Sequence, residues 1–222
     1  MDLDDTNLED LNDSNDSEDY VHITPAEVLE LMEETWVNEK FAPEILPNKT
    51  EVVDIILEQI KSMEVNIKNL SNDDFTKNIY QLEVDKLRFM VTSYLRTRLE
   101  KIESYVVHIL KEEEKRVEKG ESKYLSEQEY KFAQDYSRSM DRYFNKIMNF
   151  CPNLTSDTWS SKVIEPNNNS FVFMKSKKTI EGLPIDITNA DSDLVDIKSG
   201  SRVIICYSSI EELVKNGDVN LI

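Results

Sequence analysis

The densest run of side chains able to do chemistry is Arg88, Arg96, Arg98 and Lys101, interleaved with Phe89, Tyr94, Leu95 and Leu99. Guanidinium groups beside aromatic rings suit three tasks. They pair with acids on their own helix, as Asp85 with Arg88 and Arg96 with Glu100 would at i+3 and i+4. They hold phosphates while a tyrosine stacks on a base. They also make bidentate contacts with carboxylates at a buried helix–helix seam or an interface, and this is the use expected for Arg96 and Arg98.

Catalytic arrangements are harder to assemble. His22 and His108 are far apart, and neither has another ligand type at metal-binding spacing. Glu112, four residues after His108, points to a helical ion pair. A Cys–His nucleophile would have to join His108 to Cys151 or Cys206, with no supporting motif. Glu112-Glu113-Glu114 reads as a solvated helix end, because adjacent helical residues point in different directions. The acidic stretch near the start lacks the glycine and spacing of a calcium loop. Four glycines (Gly120, Gly182, Gly200, Gly217) stand too far apart for a phosphate-cradling loop. No catalytic, cofactor-binding or metal-ligating set is expected, and no cofactor.

Composition narrows the class further. The chain has 222 residues, 26 basic and 44 acidic, and a formal charge of −18. The first 39 residues hold fourteen acids and no Lys or Arg, so the remainder is close to neutral. Such a field repels phosphate and argues against autonomous nucleic-acid binding through a broad basic face. Asp2 and Asp4 stand where a secretory leader would be basic and then apolar. The longest apolar run, Val203 to Tyr207, is far short of the roughly twenty residues of a membrane span. Two cysteines without a CxxC read as reduced thiols. The expectation is a soluble, intracellular protein.

The elements that must position these residues follow from periodicity. Residues 1–20 are rich in Asp, Asn, Ser and Glu and are expected to be a disordered acidic tail. Leu3, Leu8 and Leu11 punctuate it, which fits either a solubilising tail or a short motif that folds into a partner's groove. Thr24-Pro25-x-Glu27 is a capping box with proline at the first helical position. Val28, Leu31, Met32 and Trp36 follow at helical spacing, until Pro43 and Pro47 break it. A second helix opens at Thr50 with a stripe through Val53, Ile56, Ile60 and Ile67. A third runs from about Asp74 to Lys119 without Gly or Pro. At 1.5 Å per residue it would be a rod of roughly 65–70 Å, long enough to pack on something outside the chain. Ser126-x-x-Glu129 caps a fourth helix ending near Cys151-Pro152.

After a polar linker, the pattern changes to short β-branched and aromatic runs at Phe171–Met174, Ile185/Ile187, Leu194–Ile197 and Val203–Tyr207. A short helix from Ile210 to Lys215 leads to Gly217 and a final strand ending in Leu221-Ile222. The expected fold is mostly α with a small β domain: an N-terminal helical bundle with one very long helix, then a small C-terminal β-rich module. The expected boundaries are a tail over 1–20, a helical domain over 21–150, a linker over 151–169 and a β-rich domain over 170–222.

The third helix also carries a resemblance. Leu87-Arg88-Phe89-x-x-x-Ser93-Tyr94-Leu95-Arg96-x-Arg98-Leu99-x-Lys101-Ile102-Glu103 resembles the signature of the GINS family of eukaryotic replication proteins. Trp36-x-Asn38-Glu39-Lys40-Phe41-Ala42-Pro43-Glu44-Ile45-Leu46 is similar to the entry segment of its SLD-five branch. Asp196-Ile197-x-x-Gly200-Ser201 through Tyr207, Leu213-Val214, Gly217 and Val219-x-Leu221-Ile222 is similar to that branch's terminal β module. The likeness covers about residues 24–222 in one order, with the helical domain first.

What the resemblance implies is a non-enzymatic, nuclear role. Three other GINS subunits would complete a heterotetramer, which joins the MCM ring and the CDC-forty-five protein in the active replicative helicase. The ring would hydrolyse ATP, and DNA would be met only indirectly. Trp36, Arg88, Tyr94, Arg96, Arg98, Lys101, Leu221 and Ile222 would serve packing or subunit contacts. Leu3, Leu8 and Leu11 would form a docking motif for a replisome hub. The rival readings are a generic helical adaptor outside replication and a direct DNA-binding protein.

Overall fold

The computed structural model describes residues 24–70, 75–150, 163–185 and 194–222. His22, Cys151, Ile187 and the leucines at 3, 8 and 11 lie outside the described residues. Four helices come first: α1 (Pro25–Phe41), α2 (Thr50–Asn69), α3 (Phe75–Lys119) and α4 (Glu127–Phe150). Then follow β1 (Phe171–Ser176), β2 (Ile180–Pro184), β3 (Leu194–Ile197), β4 (Arg202–Cys206), α5 (Tyr207–Asn216) and β5 (Val219–Leu221). The architecture is the mostly α, small β arrangement expected.

Both capping boxes form. The Glu27 amide donates to Thr24 Oγ1 while the Thr24 amide donates to Glu27 Oε2. Ser126 and Glu129 make the same reciprocal pair at the start of α4. Each satisfies helix-end donors that would otherwise lack partners. Helices α1, α2 and the first half of α3 enclose one core around Met32, Ile56, Ile60, Val84, Met90 and Tyr94. A second core gathers Ile45, Ile102, Val106, Ile109, Leu125 and Ala133 between the latter half of α3 and α4.

The long helix is not a straight rod. Tyr105 has φ −125° and ψ 27°, outside the helical range, so two helical segments meet there at a kink. Neither Gly nor Pro is present. The hydroxyl of Ser104 donates to the carbonyl of Glu100 at 2.8 Å, a back-bond that bends helices.

In the β module, β1 is central in a three-stranded antiparallel sheet of order β4-β1-β5. A separate hairpin pairs β2 with β3. Two strand expectations are corrected. The second strand lies at Ile180–Pro184, upstream of Ile185, and Tyr207 opens α5 rather than closing β4. Gly217, at φ 77°, ends α5 in the left-handed conformation, with amides of Gly217 and Asp218 returning to Val214 and Leu213. The module's core contains Val172, Met174, Ile205, Tyr207, Ile210 and Leu221, together with Ala42 and Leu46 from the α1–α2 loop. The sheet therefore packs around a piece of the helical region.

Candidate functional site

The chemistry-bearing residues converge where α1, α3, the α3–α4 loop and α4 meet. Arg98 is fully buried, at 0% exposure, and it is among the largest side chains so enclosed. Each of its five N–H donors has an acceptor. Nε donates to Glu129 Oε1 (2.7 Å) and Nη2 to Glu129 Oε2 (3.0 Å). Nη1 donates to Glu39 Oε2 (3.0 Å) and the Leu46 carbonyl (2.7 Å), and Nη2 also to the Tyr124 carbonyl (2.9 Å). A planar fork meeting a carboxylate edge-on is a geometry that lysine cannot reproduce.

Lys101, one helical turn on, completes the arrangement. Its ammonium donates to the Glu39 carbonyl (2.5 Å), Glu39 Oε1 (2.7 Å) and the Glu44 carbonyl (2.7 Å). Glu39 thus lies between two cations, and its Oε2 also accepts the Leu46 amide. Burial pulls the Lys101 ammonium below the usual lysine range, against the opposing pull of Glu39. Burial works to raise the Glu129 carboxyl, but the Arg98 fork and the Ser126 donors overcome it and leave the group more acidic than usual. Burial pushes the Tyr94 hydroxyl up to about 12, with Arg98 opposing, and that hydroxyl accepts the Lys49 amide.

Next to this network, Glu44 carries it into the β module. Its carboxylate accepts the Tyr207 hydroxyl at 2.9 Å and pairs with Lys215 at 2.9 Å. Burial raises the Glu44 carboxyl, with Lys215 working against the rise. On the other side of the loop, Asn38 Oδ1 accepts the Leu221 amide at 2.7 Å, and Asn220 donates to Glu34. Polar groups therefore bind both ends of the α1–α2 connection to the sheet.

The remaining candidate residues are scattered. Trp36 donates to Ser93 Oγ at 2.9 Å and meets Phe89 edge-on. Arg88 is exposed and pairs with Glu64 and Asp85. Arg96 is exposed and forms no ion pair with Glu100; two positions along a helix from Arg98, it points nearly the opposite way. Leu221 is buried in the module's core, whereas Ile222 is 45% exposed.

Two further expectations need correcting. Glu113 is not solvated: it is buried, accepting Arg116 Nη1 at 2.9 Å and the Tyr124 amide at 3.0 Å. Glu112 pairs with Lys115 rather than with His108. Glu39, Glu44, Glu129 and Tyr207 were not among the candidates. Glu39, Glu44 and Tyr207 stood only within the segments that carry the resemblance, and Glu129 had the capping box, which predicted a backbone role. Among the described residues no group of three His, Cys, Asp or Glu is placed to hold a metal ion, and no helix is long and apolar enough to cross a membrane.

Such an arrangement ties α1, α3 and α4 to one another. Its cations and carboxylates are spent on one another and on backbone. Comparison with known proteins agrees with the architecture. Residues 49–148 match the family model described as the GINS complex protein helical bundle domain, and residues 166–222 match that of the DNA replication complex GINS protein SLD5 C-terminus. The chain is 36% identical to the DNA replication complex GINS protein SLD5 of Rattus norvegicus, over 98% of this chain and 100% of that one. It is also 36% identical to the same protein of Homo sapiens, over 95% and 96% of the two chains. The fission yeast protein, from Schizosaccharomyces pombe, is 25% identical over 84% and 88%. With its helical and terminal β regions both matched, in order and over nearly the full length of these relatives, the chain belongs to the SLD5 family of GINS replication-complex proteins.

Proposed function

We propose that this protein is a non-catalytic structural subunit of a four-subunit GINS assembly acting in the nucleus. That assembly joins the MCM ring and the CDC-forty-five protein in the replicative helicase, where the ring hydrolyses ATP and this chain meets DNA only indirectly. The observation that carries the reading is unpartnered apolar surface on otherwise well-packed helices. On α3, Phe75, Ile79, Leu82 and Phe89 form a stripe with exposures of 75%, 48%, 71% and 62%. On α4, Ala133 alone is buried, and Tyr143, Ile147 and Phe150 line up at i, i+4 and i+7 at the far end, exposed. Patches of this kind mark protein–protein contact, and helices answer them best.

Within the proposal the candidate residues divide by exposure. Arg88, Arg96 and Ile222 are available to neighbouring subunits. Trp36, Tyr94, Arg98, Lys101 and Leu221 hold the frame that presents them. Leu3, Leu8 and Leu11 belong to a tail motif for a replisome hub; deleting residues 1–20 should abolish hub binding, and unchanged binding would remove that part. The main test is native mass spectrometry of the chain purified alone and co-expressed with its three relatives. A self-associating lone chain that becomes one particle with a single copy of each subunit is expected. A stable monomer indifferent to them would favour an adaptor working outside replication.

A further inference from the structure

The outer face of the three-stranded sheet has a composition that the helical stripes lack. Residues Phe171, Phe173 and Lys175 of β1 point away from the core, alternating with the buried Val172, Met174 and Ser176. Ile204 lies directly across from Phe173, and Arg202 across from Lys175. On the other side the Ile222 amide donates to the Phe173 carbonyl, and Asn220 is in register with Lys175. One row is therefore Ile204, Phe173 and Ile222, exposed by 55%, 61% and 45%. The next row sets Arg202 beside Lys175, both exposed and neither in an ion pair among the described residues. Like charges directly opposite on neighbouring strands repel, so this pair calls for an anion. An apolar row beside an uncompensated cationic row fits an acidic segment with spaced aliphatic residues.

The chain contains such a segment and delivers it to this place. Residues 1–23 include nine acids, no Lys or Arg, and the leucines at 3, 8 and 11. They join the described structure at Thr24, the cap of α1. Helix α1 flanks the cationic row. Its Glu34 accepts from Asn220 Nδ2 at 2.7 Å. A groove of about 700 Å³ is lined by Glu27, Glu30, Leu31 and Glu34 of α1 on one wall and by Lys175, Lys177 and Gly200 on the other. From Thr24, the thirteen residues back to Leu11 span up to about 43 Å when extended, and a strand of six residues is only about 20 Å long. That contour length permits the leucines to meet the apolar row and the acids between them to meet the cations.

We infer that residues 1–23 dock on the outer face of β1 and β4, with their acids on Lys175 and Arg202 and their leucines on Phe173 and Ile204. A tail so held is withheld from other partners until something displaces it. The face and the tail both belong to this chain, so the inference does not depend on the assembly proposed above.

The test is photo-crosslinking in the full chain, with p-benzoylphenylalanine replacing Phe173 and, as a control, Phe75 on α3. Within single chains at low salt, the probe at 173 should react with residues 1–20 and the probe at 75 should not. Raising salt from about 0.05 M to about 0.5 M should cut the product roughly fivefold, because an exposed charge contact is screened. The double change Lys175→Glu with Arg202→Glu, on exposed side chains that leave folding intact, should do the same at low salt. Products joining residue 173 to a second copy or a co-purified subunit would overturn the inference, as would a yield insensitive to salt and charge reversal.

Discussion

Arg98 has no spare donor, and that determines what its replacement costs. Removing it leaves Glu129 without its cation and Glu39 with Lys101 alone, in a dry setting, together with an unpaired Leu46 carbonyl. Breaking a buried pair in this way costs about 3–5 kcal/mol. Arg98→Ala should therefore lower Tm by roughly 10 °C, and Arg98→Lys should recover little, since an ammonium cannot span both oxygens of Glu129. A scan showing either variant as stable as the parent would refute the network's role. Glu129 adds a pH signature. Its carboxyl is more acidic in the folded chain than the ordinary value of 4.5, so its stabilising contribution is complete above that value. That contribution is lost as pH falls through the lowered folded pKa. Glu129→Gln should remove this part of the acid dependence, seen in urea unfolding between about pH 5 and pH 3.

At the scale of elements, α4 depends on its first turn more than the other helices do, because Ala133 is its single buried residue. Ser126→Ala removes one side of the capping box and should cost about 1 kcal/mol, with faster amide exchange confined to residues 127–133. Equal exchange in parent and variant would show that packing alone holds this end. The helices and both capping boxes were legible in the sequence, since apolar spacing and cap chemistry are local. The kink at Tyr105 was not. The Ser104 back-bond to the Glu100 carbonyl accompanies it, yet the same back-bond from Ser139 to Asp135 leaves α4 regular, so no local signal marks the site. Strand β2 was misplaced for a related reason. Ile180-Glu-Gly-Leu-Pro reads as a turn by composition, while Ile185-x-Ile187 alternates as a strand would. Pairing with β3 decided the matter, and Asp196 accepting the Gly182 amide helps to hold that irregular edge. The network was half visible. Arginine spacing drew notice to Arg96 and Arg98 together, yet they lie on opposite sides of α3, and the buried one was found by its acids. Those acids, Glu39 and Glu129, look like ordinary surface residues in isolation.

For the whole molecule, the helical and β regions are joined by chemistry that can be tested as one unit. Lys101 fixes the Glu44 carbonyl and Tyr207 fixes its carboxylate, so the two side chains act on the same residue from opposite sides. Tyr207→Phe should speed hydrogen exchange in β1 and β5 while leaving α2 unchanged. Combined with Lys101→Met, the losses in stability should depart from additivity by at least about 0.5 kcal/mol. Independent effects would mean that the sheet sits on the helices without sensing the network. The segment between these regions carries a further consequence. Ile45 enters the core between α3 and α4, while its neighbours Ala42 and Leu46 enter the core of the sheet, and Pro43 and Pro47 stiffen the path. Connecting loops ordinarily tolerate gain or loss of a residue. Here a single deletion before Ile45, counted from α1, would bring Leu46 to the place of Ile45 and Ile45 to that of Glu44, so within this family the length of this short stretch should be held more strictly than the identity of its side chains.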